Sequence, residues 1–123
     1  MAVKYSNNAS TTLNGAITTS ATSITVNDVS EFPTLTSSDY TYLTLSNSTA
    51  TTIEIVKVTA INTTTKVLTV ERGKDNTTAA AFSSGDICEL RLTAALLNDA
   101  ASRDDDPAGT AVAMAIALGY YRK

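Results

Sequence analysis

Residues 54–99 read EIVKVTAINTTTKVLTVERGKDNTTAAAFSSGDICELRLTAALLND. β-Branched and apolar residues alternate with polar ones in two runs joined by a Thr-rich turn, and a third such run follows, which favours three strands. After this third run, the spacing of the apolar residues changes from that of a strand to that of a helix. Thr93 is a suitable N-cap for a short helix near residues 93–101, with Leu96, Leu97 and Ala100 on its apolar stripe.

Two stretches before residue 54 also have the pattern of strands. Ile24 and Val26 alternate with small polar residues, and residues 40–46 alternate cleanly. Residues 53–61 break strict alternation around Val56, which predicts either a bulge or a strand covered on both faces. Short strands joined by turn clusters indicate a small β-barrel or sandwich.

The composition agrees with a mainly β fold in a single domain. Of the 123 residues 43% are apolar and only 17% are charged, so Thr, Ser and Asn must supply the polar surface. Thr is β-branched and suits a half-buried sheet. We predict an N-terminal arm or loosely held edge strand at residues 1–15, a β domain at 16–103 and a C-terminal apolar arm at 104–123.

The residue inventory argues against several functions. A net charge of −3 without a basic stripe disfavours nucleic-acid binding, and the absence of His removes the commonest general base and metal ligand. The chain has no serine–histidine–aspartate set and no phosphate-binding loop, so we predict no enzyme, catalytic residue, cofactor or metal site. Cys88 is expected to be a small buried apolar residue.

The sequence contains no recognisable export or membrane signal, and its one run of like charges does not indicate catalysis. No apolar run reaches the ~20 residues of a membrane helix, and residues 1–10 lack the apolar core of a signal peptide, so we expect synthesis in the cytoplasm and no membrane partner. Residues 104–106 are consecutive Asp residues before Pro107. They predict a solvated hinge; a divalent-cation site is the alternative, but the spacing of a calcium loop is missing.

Several segments occur in a fixed order. They are EIVKVT at 54–59, LTVERG at 68–73, TTAAAF at 77–82, GD at 85–86 and ELRLTAALLN at 89–98, preceded by Phe32–Pro33, Tyr42 and Leu43. Together they resemble a recurring domain of tailed-bacteriophage structural proteins, over roughly residues 16–99. The resemblance implies a small β-rich module, often trimeric, without enzymatic activity. Asn76 stands where that family usually has Gly, and Asn tolerates the left-handed backbone such a turn requires.

The resemblance implies a place in the virion. We expect a capsid cement or decoration protein that stabilises the shell as a homo-oligomer, with a trimer favoured, through contacts with the major capsid protein or another virion protein. A tail, neck or fibre-attachment adaptor is the alternative within the same class. A glycan-binding module is the alternative of another class, and its candidate aromatic residues are Tyr5, Tyr40 and Tyr42.

The expected contact residues lie mainly near the C-terminus. Residues 108–118 form an uncharged apolar run that exceeds what a domain of this size can bury, so we expect it to pack in an oligomer; a core helix of the same domain is the alternative. The named residues of this arm are Val112, Ile116, Tyr120 and Tyr121. Arg72, at a strand end, is predicted either to contact a partner or to pair with an acidic neighbour in its own chain.

Overall fold

The computed structural model describes residues 3–101, which form six strands and one helix. The strands are β1 (Ser10–Thr12), β2 (Ser23–Thr25), β3 (Thr41–Ser46), β4 (Ile53–Asn62), β5 (Val67–Lys74) and β6 (Ile87–Glu89), and the helix is α1 (Ala94–Ala101). The predicted helix is confirmed at its position, and each predicted strand region contains a strand.

The strands pair antiparallel in one curled sheet with the order β1-β6-β3-β4-β5-β2, which forms a half-barrel. A bridge between Leu13 and Val26 joins the two outermost strands. Next to it the Asn14 N–H donates to the carbonyl of Thr25 at 2.8 Å. This contact pairs backbone groups that would otherwise be left at open sheet edges. The prediction of a mainly β, barrel-like fold is confirmed.

The inside of the curl holds the main hydrophobic core. Its fully buried members are Leu13, Ile24, Val26, Leu43, Leu45, Val56, Val58, Leu68 and Cys88, each 0% exposed. The inward alternation predicted for Ile24 and Val26 is therefore confirmed, as is the burial of Cys88. Burial raises the pKa of the Cys88 thiol to about 12, which keeps it protonated and unreactive at neutral pH.

The irregularity predicted around Val56 lies at that level of the sheet, but the extra residue belongs to the neighbouring strand. Opposite Val56, β5 contributes two residues, Arg72 and Gly73, and Gly73 has a φ of +61°. Gly adopts this left-handed conformation without steric cost, which explains why β5 takes the bulge. A second register shift follows Val58, and beyond it Ile61 packs against the core.

The described part of the N-terminal segment is packed onto the sheet. Val3 and Ala9 are 2% and 1% exposed, and the Lys4 N–H donates to the carbonyl of Tyr40 at 2.7 Å. Residues 10–12 form the outer strand β1. Of the two descriptions left open for residues 1–15, the edge strand is the one observed. The apolar side chains of Val3, Ala9 and Leu13 are buried in the two hydrophobic clusters of the sheet.

The outer face of β3 is covered as well as its inner face, and all six residues of the strand are buried. Val3, Tyr42 and Leu96 form a small second core between the sheet and α1. The predicted N-cap is confirmed, since the Leu96 N–H donates to Thr93 Oγ1 at 3.2 Å. Among residues 3–101, no helix is long and apolar enough to cross a membrane.

The predicted C-terminal arm at 104–123 and its acidic hinge lie outside the described residues. The same holds for its four predicted contact residues, Val112, Ile116, Tyr120 and Tyr121.

Candidate functional site

A charged pair lies buried where β4 and β5 meet. Glu54 is 0% exposed, and its carboxylate accepts two hydrogen bonds of 2.8 Å from Arg72, one from Nε and one from Nη2. The side chain of Arg72 is 7% exposed. Two parallel bonds of this kind fix the orientation of both groups, because the planar guanidinium matches the carboxylate.

The remaining donors of Arg72 bind loop carbonyls. Nη1 donates to the carbonyls of Thr18 at 2.6 Å and Ala21 at 3.0 Å, and Nη2 donates to that of Ala80 at 2.5 Å. All five N–H groups of the guanidinium are therefore used within the chain. The acidic neighbour in the same chain, one of the two arrangements predicted for Arg72, is the one observed. Any part that Arg72 plays in an interface is indirect, through the loops it holds.

The carboxylate of Glu54 is also fully engaged. Besides Arg72, it accepts hydrogen bonds from the N–H groups of Gly73 at 2.8 Å and Ala80 at 2.9 Å. Burial on its own raises the pKa of Glu54, but the hydrogen bonds from Arg72 and the two backbone N–H groups outweigh it. The pKa therefore lies below its ordinary value, and the group is ionised at neutral pH.

The buried pair joins three of the sequence segments that carried the family resemblance. Glu54 opens EIVKVT, Arg72 and Gly73 close LTVERG, and Ala80 lies within TTAAAF. Gly73 also packs closely, since a Cβ at this position would lie 3.3 Å from the backbone N of Ala79. Asn76 has a φ of +64°, the left-handed conformation predicted for it. These residue types are thus accounted for by the architecture of the module.

A second polar cluster holds α1 on the sheet. The hydroxyls of Tyr40 and Tyr42 donate to the same oxygen of Asp99, at 2.7 and 2.9 Å. Burial, and then the hydrogen bond to Asp99, raises the pKa of Tyr40 to about 12 and that of Tyr42 further. At the other end of the helix, the Ala95 N–H donates to Asp75 Oδ2 at 3.1 Å.

The tyrosine cluster bears on the glycan-binding alternative. Tyr42 is 8% exposed, and its ring meets that of Tyr40 edge to face, with centroids 5.8 Å apart. Lys57 Nζ lies 4.4 Å from the centroid of the Tyr40 ring. Both rings are thus occupied by partners within the chain, which lowers the support for a sugar-binding groove. Tyr5 is 57% exposed.

An uncharged row of two isoleucines, a threonine and a serine crosses the outer face of the sheet near one end of β3. Ser46 pairs with Ile87 of β6 on one side and with Ile53 of β4 on the other, and Ile87 pairs with Thr12 of β1. Residues paired directly across strands lie on the same face, about 5 Å apart. We call Thr12, Ile87, Ser46 and Ile53 the outer row. It contains no charged side chain, and Ile53 is 44% exposed.

Other chemistry-bearing groups are sparse in this part of the chain. Within residues 3–101, no three His, Cys, Asp or Glu residues are placed to hold a metal ion. A shallow, open hollow lies along the β4–β5 hairpin, and none of its lining residues is charged; they are Ala60, Ile61, Asn62, Thr63, Thr65, Val67 and Thr69. The lining contains Thr hydroxyls but no carboxylate, amine or imidazole that could activate them.

Sequence patterns identified Arg72 but missed Glu54, Asp99 and the outer row. Glu54 stands inside a strand-like run, where an acidic residue normally faces water. Ile53 was counted within the same strand, and its exposure follows from which strands lie beside β4. No family model matches the chain, and no curated protein matches it by sequence.

Proposed function

We propose that this chain is a non-enzymatic structural protein of a bacteriophage virion, acting as a capsid cement or decoration protein. It assembles as a homo-oligomer, with a trimer favoured, and binds the major capsid protein or another virion protein. The proposal rests on the resemblance of the ordered segments and on what those segments do in the fold.

The convergence of the motif residues on the Glu54–Arg72 pair is the observation that carries the proposal. Residues that recur in an ordered set are explained either by chemistry on a substrate or by the architecture of a module. Here Glu54, Arg72, Gly73 and Ala80 form hydrogen bonds with one another, and the remaining donors of Arg72 bind two further carbonyls of the same chain. This favours a module selected for a rigid shape, as a binding component requires.

A rigid module of this size stabilises a shell through many copies. One contact of a small domain contributes little, but copies joined in an oligomer must release several contacts together. The low charge of the chain, 17% Asp, Glu, Lys and Arg, suits close packing against other protein surfaces. The virion is the corresponding location, reached after synthesis in the cytoplasm of the host bacterium.

Co-sedimentation with virion parts tests the proposal. The purified chain is mixed with expanded capsid shells and, separately, with tails of the source phage, and each pellet is assayed for it. Saturable binding to shells supports a cement protein, and binding to tails alone supports the tail, neck or fibre-adaptor alternative. Binding to neither, combined with a positive glycan array, contradicts the structural function and favours the glycan-binding alternative.

A further inference from the structure

The outer row is an uncharged part of the described sheet with exposed apolar side chains, which suits an additional apolar segment. Its exposed member, Ile53, and the partly exposed Ile87 flank Ser46, which is 1% exposed. The accessible apolar area is therefore that of the two isoleucines, which lie on either side of the buried Ser46 and about 10 Å apart, the span of two strand spacings. The inner row beneath it, with Cys88, Leu45 and Glu54, is already buried in the core.

We propose that the outer row of one subunit binds residues 108–118 of a second copy of this chain, an inference that rests on the proposed function. The chemistry of the two surfaces agrees. Residues 108–118 carry no charged side chain and include Val112 and Ile116, whereas the preceding residues 103–106 are all charged. An uncharged strip accepts the first of these segments and excludes the second, because buried charges require partners.

The direction of α1 favours a second copy over the same chain. The first turn of α1 lies beside Asp75, which accepts a hydrogen bond from the Ala95 N–H and follows Lys74, the partner of Ile55. Its last turn lies beside Tyr42, whose hydroxyl donates to Asp99. Since Ile55 is paired with Thr44, the helix runs along β3 away from Ser46. The described chain therefore ends near the end of β3 that lies opposite the outer row.

Disulfide trapping in the full-length chain tests the inference. Chains carrying Ile53→Cys are mixed with chains carrying Ile116→Cys and oxidised mildly. The matched control replaces Ile53→Cys by Tyr5→Cys, since Tyr5 is also exposed but lies near the Val3–Tyr40 bridge at the other end of β3. The native Cys88 is fully buried and does not interfere. We expect the Ile53 mixture to form linked pairs on the order of a hundredfold faster than the control, because docking raises the effective concentration of the two thiols.

Each alternative result is decisive. Equal linking of the Ile53 and Tyr5 mixtures in a chain that is oligomeric overturns the docking site and leaves the proposed virion function in place. A chain carrying both Ile53→Cys and Ile116→Cys that links only to itself also overturns the inference, because the segment then covers its own subunit. A monomer that binds neither shells nor tails counts against both the docking site and the function.

Discussion

Tyr42 and Asp99 are 57 residues apart in the sequence, and a hydrogen bond of 2.9 Å joins the hydroxyl of one to the carboxylate of the other. This bond and the parallel one from Tyr40 hold α1 against β3. The helix has eight residues and, of these, only Leu96 is buried. A helix this short is not stable alone, so its position depends on these tertiary contacts.

Replacing the Tyr42 hydroxyl weakens this attachment. We expect Tyr42→Phe to lower the free energy of unfolding by about 1–2 kcal/mol, since a hydrogen bond to a carboxylate is lost while Tyr40 still donates to it. Urea unfolding measures the change. Tyr5→Phe is the matched control, because this ring is exposed and its change is expected to stay within about 0.5 kcal/mol. Equal effects of the two substitutions would show that α1 is held by other contacts.

Removing Arg72 leaves Glu54 as an uncompensated buried charge. Arg72→Ala is expected to cost about 3–5 kcal/mol of stability, whereas Lys74→Ala, which breaks the exposed pair between Lys74 and Glu71, is expected to cost under about 1 kcal/mol. Urea unfolding of the two variants gives the comparison. A cost for Arg72→Ala as small as that of Lys74→Ala would contradict the buried network.

Acid should weaken the same network. The pKa of Glu54 in the folded chain is lower than its ordinary value of 4.5. The stability it contributes is therefore fully present above about pH 4.5 and is lost as the pH falls through the lower folded pKa. The free energy of unfolding is measured from neutral to acidic pH in wild type and in Glu54→Gln.

The difference between those two curves isolates Glu54. Hydrogen bonds from Ser30 and Thr36 also lower the pKa of Asp28 and Asp39, and those groups contribute to the pH dependence of both proteins. We expect the curve of Glu54→Gln to be flatter below about pH 4.5. Parallel curves would mean that Glu54 does not change its affinity for protons on folding.

The bulge in β5 depends on Gly73. We expect Gly73→Ala to cost about 1–2 kcal/mol, because the left-handed conformation disfavours a Cβ and this one would press on the backbone of residues 77–79. Asn76→Gly is the matched control in the same loop, and we expect it to change stability by no more than about 0.5 kcal/mol. Thermal unfolding of both variants measures the difference. A tolerated Gly73→Ala would show that the loop adjusts.

Features that depend on nearby residues were predictable from the sequence. The Thr93 cap lies within one turn of the amide it binds, and the inward alternation of Ile24 and Val26 is a property of one strand. The left-handed Asn76 follows in the same way from a local turn.

Features that depend on strand pairing were not predictable from the sequence. Glu54 is 18 residues from Arg72 in the sequence, whereas Glu71 is the immediate neighbour of Arg72. The sequence alone therefore does not show which of the two carboxylates binds Arg72. The pairing depends on the β4–β5 register and its bulge. The outer row likewise draws on four strands, and it exists only because β6 inserts between β1 and β3. Such long-range pairings depend on the strand order and register of the whole sheet.

The mass of the purified full-length chain in solution tests the central claim most directly. The favoured trimer predicts a particle of three times 12.9 kDa. We expect Ile53→Glu to dissociate it, because a charge enters the outer row, while Tyr5→Glu leaves it intact. A chain that stays a 12.9 kDa monomer over the whole concentration range measured would contradict the account.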